Sequence, residues 1–450
     1  MTPHLITRKD FIKSSSILLA GSSLVSCSSM LVGGQSAADA KPNAATSGNT
    51  IKNVRLETGF VFEEDEVIGT KTELFTIEIE EGKIKAILPN KPNATAIDAK
   101  GLLLLPAFKD MHIHLDKTFY GGPWQARRKK NRTVQDMIAY EQQVLPEMLK
   151  SSTQRAEKLI ELLQSQGSNF ARSHVNIEPT SKLDSLKNLQ QALENKKESF
   201  DAELVAFPQH GIFRSQSEQL MKEAATMDID FIGGLDPNTI DGNIGKSMDF
   251  MVQLALDHDK GIDIHLHEGG EGGLKTVEYL IDRVNENPVL KGKTFISHSF
   301  VLAKLEKRKL EEIAEKLAHA KIGIISTIPF VSMIMPIPTL YRYGVDVRTG
   351  NDSIIDHWNT FGSGSVLQKA NLMAQLYGYS TELELSRCLK LATHNILPLD
   401  DKGQQQWPQV GDKADLVLVD ASCSAEAVSR ISPVKALLHR GKMVYQTPDT

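Results

Sequence analysis

The sequence predicts an α/β fold: a (β/α)8 TIM-type barrel carrying a small composite β-domain made from N- and C-terminal segments. Two observations predict it. After Pro106, short apolar runs alternate with longer amphipathic stretches until eight strands have been counted. Strand-like segments without helical periodicity flank that region on both sides.

The chain of 450 residues is long enough for one large domain and a smaller companion. Hydrophobic and charged fractions of 41% and 24% are ordinary for a globular protein. A net charge of −5 provides no basic field for nucleic acid, so the expected partner is a small molecule. The three cysteines are too few and scattered for a disulfide framework or a thiolate metal site. Oligomeric state is not legible.

Residues 1–40 read as an export signal and are set apart from the fold. Thr7-Arg8-Lys9-Asp10-Phe11-Ile12-Lys13 resembles a twin-arginine motif, with Lys9 in place of the second arginine. The weakly apolar stretch from Ser14 to Val25 is too short for a membrane span, which needs roughly 20 apolar residues. Leu24-Val25-Ser26-Cys27 resembles a lipoprotein box, which would put a lipid anchor on Cys27. The competing reading is cleavage after Ala38-Asp39-Ala40. Residues 41–50 read as a linker, and the expected location is periplasmic, free or membrane-anchored.

Residues 51–105 are expected to form the first part of the β-domain, with strands at Asn53–Leu56, Leu74–Ile79 and Lys83–Ile87. Leu102-Leu103-Leu104-Leu105 is an apolar run stopped by Pro106. Residues 106–405 form the expected barrel. Its strands are Phe108–Leu115, Asn169–Ile177, Glu203–Pro208, Asp230–Leu235, Gly261–His267, Thr294–Ser299, Lys321–Thr327 and Val345–Gly350. The intervening helical stretches include Thr133–Gln164, Lys182–Asn195, Gly245–Asp257, Lys275–Asn285 and Lys304–Ala320. No Gly-x-Gly-x-x-Gly follows the first strand, which argues against a dinucleotide site. Residues 406–450, with Leu416–Val419, Val434–Leu438 and Lys442–Tyr445, complete the β-domain.

A parallel barrel places its chemistry at the C-terminal ends of its strands. His112 and His114 stand two apart at the first such end, so both side chains share a face and can grip one cation. Neutral imidazoles commonly bind zinc or iron(II). The fifth strand ends Asp263-Ile264-His265-Leu266-His267-Glu268, offering a further imidazole and a carboxylate; spacing leaves His265 and His267 equivalent. Polar ends recur at Gln209-His210, Ser297-His298-Ser299 and Asn351-Asp352-Ser353. His174 reads as a packed or supporting histidine, and Asp116 and Lys117 as residues fixing the first loop. Pro329–Pro336 is a candidate wall or lid, or equally a loop packed on the rim.

Pro106-Ala107-Phe108-Lys109-Asp110-Met111-His112-Ile113-His114-Leu115-Asp116-Lys117-Thr118 resembles the opening signature of the cytosine deaminase branch of the amidohydrolase superfamily. Phe207-Pro208-Gln209, His265-x-x-Glu268, Ser297-His298 and Gly350-Asn351-Asp352, with Trp358 beyond, follow in the same order, and the likeness spans about residues 51–446. The resemblance implies one divalent metal, Fe2+ or Zn2+, held by His112, His114, His265 and Asp352, with His267 behind the ligands. It implies that Glu268 shuttles protons between attacking water and leaving amine, that His298 orients the water, and that Gln209 binds the substrate's amide-like edge.

Dinuclear amidohydrolases typically carry a bridging lysine at the end of strand four. Here Ile229–Asp236 contains none, which points to one metal. Cytosine deaminases follow the ligand aspartate with a second aspartate; Ser353 stands there and cannot carry that charge. The expected reaction is therefore hydrolysis of a non-peptide C–N bond in a related N-heterocycle, cyclic amidine or amide. It would be a deamination or, alternatively, cleavage of a cyclic amide or N-alkyl amine. A reading from another class, a non-catalytic small-molecule-binding lipoprotein, leaves Glu268 without a purpose.

Overall fold

Two eight-stranded sheets organise the chain. The computed structural model describes residues 50–126, 133–328 and 333–448. The expected export signal, Cys27, nearly all of the linker and residues 329–332 of the expected lid lie outside the described residues. Among the described residues, no helix is long and apolar enough to cross a membrane.

One sheet is the barrel. Its strands are β6 (Phe108–Ile113), β7 (Ser168–Asn176), β8 (Asp201–Phe207), β9 (Phe231–Leu235), β10 (Gly261–Leu266), β11 (Thr294–His298), β12 (Ile322–Ser326) and β13 (Val347–Thr349). They lie side by side in chain order, each parallel to the next. Beyond β13 the chain returns to β6. Ile113 and Asp352 form a parallel bridge, with Asp352 N–H donating to His112 O (2.7 Å) and His114 N–H to Asp352 O (3.2 Å). The barrel is thereby nearly closed, and all eight expected strands are present to within a few residues.

Strand alternation decides what faces inward. On β7, Ala171 and Val175 pack outward with the helices, so Arg172, His174 and Asn176 point inside. On β10, Ile262, Ile264 and Leu266 pack outward, which turns Asp263 and His265 inward. The barrel floor is an apolar plug of Met111, Val205, Phe231, Phe295 and Ile325. Arg172 lies against it, its guanidinium 3.9 Å from the Phe231 ring centroid and 4.2 Å from that of Phe295. The inward residues thus climb from this floor to the histidines above.

The second sheet joins both ends of the fold, in the order β16-β15-β14-β5-β1-β2-β3, with β4 paired to β1. Its N-terminal strands are β1 (Thr50–Glu63), β2 (Glu66–Glu80), β3 (Lys83–Pro89), β4 (Ile97–Asp98) and β5 (Leu103–Pro106). Its C-terminal strands are β14 (Leu416–Val419), β15 (Val434–His439) and β16 (Lys442–Gln446). The seam is the apolar run expected from sequence: Leu103–Pro106 pairs antiparallel with Leu416–Val419. Here the structure extends the sequence reading. Asn53–Leu56 and Leu74–Ile79 are fragments of one hairpin with strands of 14 and 15 residues. Register shifts at three points along that hairpin break the alternation that would have revealed its length.

The long helical stretch expected at Thr133–Gln164 is two helices, Val134–Leu149 and Ser152–Ser165. The first starts with a capping box in which Thr133 Oγ1 accepts from Asp136 N–H (3.0 Å) and Asp136 Oδ2 accepts from Thr133 N–H (3.2 Å). A helix at Glu218–Ala225 and those at Val366–Tyr377 and Glu382–Cys388 add to the expected set.

Candidate active site

Four side chains converge where the barrel closes. Nε2 of His112 and Nε2 of His114, at the end of β6, lie 3.5 and 3.4 Å from Oδ1 of Asp352. Nε2 of His265, at the end of β10, lies 3.4 Å from Nε2 of His114. One potential ligand atom from each of the four falls within 4.8 Å of the others. His265 rather than His267 belongs to this group.

Two of these imidazoles, His114 and His265, are held as bases. Burial, with the Lys117 charge adding to it, pulls the His114 imidazole down to about 4. Burial likewise holds His265 and His298 well below the usual histidine range. Burial pushes the Asp352 carboxyl up, but the facing His112 and His114 imidazoles outweigh it and hold the group well below the usual carboxylate range. Neutral imidazoles around a carboxylate form a donor set for a divalent cation. One atom tests the fit directly: Nε2 of His112 is buried without a hydrogen-bond partner while facing the cluster. Such an orphan costs roughly 1–3 kcal/mol, and a cation would remove that cost. The residues fit the group.

The back of the ring is braced. Nδ1 of His112 meets Ser297 Oγ at 2.8 Å, and that hydroxyl donates to Asp263 Oδ1 at 2.7 Å. Asp263 is pinned by Arg172, whose Nη1 is 3.0 Å from Oδ2. Nδ1 of His114 donates to His174 O at 3.1 Å. His174 itself is wholly buried, its ring centroid 4.1 Å from that of His112, so it packs under the four converging side chains. Supporting bonds of this kind fix imidazole tautomer and orientation.

Glu268 stands just beyond β10. Its Oε1 accepts from the N–H (2.8 Å) and hydroxyl (3.0 Å) of Thr239, while Oε2 is buried with no hydrogen-bond partner among the described residues. Burial pushes this carboxyl above its usual range. Asp236, at the end of β9 where a bridging lysine would sit, instead takes Nδ1 of His267 at 2.9 Å and the His267 and Glu268 N–H groups at 2.6 and 3.2 Å. His298 lies across from it, its Nδ1 3.3 Å from Thr327 Oγ1. Asp236, His298 and Asp352 all adopt left-handed backbone conformations, at φ of 37°, 67° and 63°. Such conformations are costly for non-glycine residues, and here they gather at the strand ends that shape the site.

The opposite wall differs from the sequence reading. Lys117 does more than fix the first loop: it is a buried ammonium, 2.5 Å from Gln209 Oε1 and 3.1 Å from Asn176 Oδ1, with Glu141 Oε1 at 3.5 Å. Glu141 also accepts from Asn176 Nδ2 (2.6 Å) and Trp358 Nε1 (3.3 Å). Burial opposes its charge, yet Lys117 and His357 hold it well below the usual carboxylate range. The partners of Lys117 lie 24, 59 and 92 residues away, so no local pattern announces them. Thr239 escapes sequence reading for the same reason. Ser353 is buried beside Asp352, and Pro329–Pro336 is described only from Met333, where Met335 is buried and Ile334 exposed.

Comparison with known proteins agrees with this geometry. The profile of the amidohydrolase family matches residues 237–445, a span holding His265, Glu268, His298 and Asp352. The chain is 48% identical over 453 aligned residues to the uncharacterized protein YahJ of Escherichia coli (strain K12), covering 98% of each. This chain belongs to the amidohydrolase family. Its fold is similar to N-isopropylammelide isopropylaminohydrolase from Burkholderia multivorans, with a TM-score of 0.77, 26% identity, and coverage of 88% of this chain and 98% of that one. It is also similar to 5-methylcytosine deaminase from Klebsiella pneumoniae liganded with 5-fluorocytosine, with a TM-score of 0.73, 25% identity, and coverage of 89% and 98%. Both are enzymes by name, which leaves the non-catalytic binding lipoprotein without support.

Proposed function

We propose that this amidohydrolase cleaves a non-peptide C–N bond of an N-heterocycle, cyclic amidine or amide, releasing ammonia or an amine. The observation that carries the proposal is the convergence of His112, His114, His265 and Asp352. They would hold one divalent ion, Fe2+ or Zn2+; the engagement of Asp236 with His267, in place of a bridging lysine, favours a single ion. Bound there, such a cation lowers the pKa of water from about 16 towards 7.

The chain's own groups would do the rest. Glu268, whose carboxyl burial pushes up, takes a proton from the attacking water on Oε2 and passes it to the departing nitrogen. His298, kept neutral by burial, hydrogen-bonds the oxygen that becomes negative as the carbon turns tetrahedral. Gln209 holds the edge of the substrate away from the reacting carbon. Ser353, in place of a second aspartate, favours loss of a substituted amine over deamination of cytosine itself.

The test pairs elemental analysis with a panel of amino- and N-alkylamino-heterocycles. Metal-loaded protein should release ammonia or amine from at least one member, identified by mass spectrometry. Glu268→Gln should keep the metal and lose turnover by at least about 100-fold. Wild type that holds metal yet turns over no member would overturn the reading.

A further inference from the structure

The contact between Lys117 and Gln209 carries the site further. An ammonium can only donate hydrogen bonds, so the Gln209 atom 2.5 Å from Lys117 Nζ must be the carbonyl oxygen. That fixes the orientation of the amide. Oε1 is spent on Lys117, and no hydrogen bond from Nε2 is present among the described residues. A glutamine that could otherwise serve as donor or acceptor becomes a donor alone.

Lys117 is itself fully engaged. It donates to Gln209 Oε1 and Asn176 Oδ1, and its charge is balanced by Glu141, whose Oε1 lies 3.5 Å away. Glu141 is in turn held by Asn176 Nδ2, by Trp358 Nε1 and by His357 Nε2 at 3.4 Å, with His210 Nε2 at 3.9 Å. The aromatic rings of Phe207 and Trp358 flank the ammonium, at 5.7 and 5.8 Å from their centroids. These contacts hold Lys117 in place, and its bond to Oε1 opposes rotation of the Gln209 amide.

We infer that Lys117 is a specificity-determining positioning residue: it locks Gln209 as a hydrogen-bond donor, and the site therefore selects heterocycles that present an acceptor, such as a ring carbonyl, on that edge. A ring with an amino group there would set N–H against N–H and leave a desolvated donor unpaired. This inference rests on the reading of the pocket as a hydrolase site for N-heterocycles, and it is tested by binding rather than turnover.

The probes are uracil, with two exocyclic oxygens, and 2,4-diaminopyrimidine, with amino groups in their place, both in mildly alkaline buffer where each is neutral. Calorimetric titration of metal-loaded protein should show uracil bound at least about 10-fold more tightly. Lys117→Met alone strands the Glu141 carboxylate and can unfold the protein, so the informative variant is Lys117→Met/Glu141→Gln, with its folding checked by thermal melting. It should reduce the preference to within about 3-fold, because the amide can then turn over. Gln209→Glu, which keeps the Lys117 contact but offers only oxygens, should reverse the preference. Equal affinities in wild type, binding of neither probe, or an undiminished preference in the double variant would each overturn the inference. Preference without turnover of any heterocycle would sink the hydrolase reading and leave this one standing; turnover without preference would do the opposite.

Discussion

Thr239 gives both its backbone N–H and its hydroxyl to the same oxygen of Glu268, at 2.8 and 3.0 Å. A carboxyl whose Oε1 already accepts two hydrogen bonds carries its proton on Oε2. Thr239→Val keeps the N–H and removes the hydroxyl, a bond worth about 0.5–1.5 kcal/mol to the ionised form. The acid limb of the kcat profile should then move to higher pH, with kcat down roughly 10-fold and KM little changed. Thr239→Ser should restore both. An unmoved profile would remove Thr239 from the mechanism.

Ser297 links His112 to the buried Asp263. Ser297→Ala should lower metal affinity by about 10–100-fold, measured by competition with a chelator. Loss of one bond to the buried Asp263 should also lower stability by about 1–3 kcal/mol in urea denaturation. Unchanged affinity with reduced stability would make the chain of bonds purely structural.

Gly350 abuts the main chain of His112 so closely that a Cβ would overlap both its N and its O. Neither is a flexible side-chain tip that can move aside. Gly350→Ala should therefore push β13 away from β6, costing about 1–3 kcal/mol or more and lowering metal content together with the melting temperature. A variant with normal melting and full metal would show that the seam yields more easily than its packing implies.

Stability should fall on the alkaline side through His210. Burial pulls this imidazole down, but Glu141 and Glu178 outweigh it and raise it to about 9. The folded value lies above the unfolded value of about 6.5, so the contribution is complete below pH 6.5 and is lost as pH rises through about 9. The upper bound is about 3 kcal/mol. Urea midpoints measured from pH 6 to 9.5 should drop for wild type and stay flatter for His210→Gln. Parallel curves would reject the assignment.

The sequence was most informative where local pattern and function coincide. Runs such as Gly261–Leu266 announce a buried strand, and His265 sits at its end, where a parallel barrel gathers its polar groups. What stayed hidden depends on distance. Lys117 is next to the signature histidines yet gains its meaning from Asn176 and Gln209, 59 and 92 residues on. Thr239 lies in a loop with no periodicity and meets Glu268 only because β9 and β10 are neighbours. The β1–β2 hairpin was underestimated because its outer half is only partly buried and interrupted by bulges. The break in the Thr133–Gln164 helix falls at Lys150-Ser151, where polar side chains leave the amphipathic pattern of both halves unbroken.

The bridge between Ile113 and Asp352 has a consequence in time as well as in space. His112 leaves the ribosome some 240 residues before Asp352, the separation already spanned by the bond from Asn351 to Asp110. During that interval His112 and His114 lack the carboxylate of Asp352 and the segment that closes the open side of β6. On the proposed metal site, the complete set of four donors exists only once the first and last strands have come together. A metal held there as proposed would therefore depend on closure of the barrel.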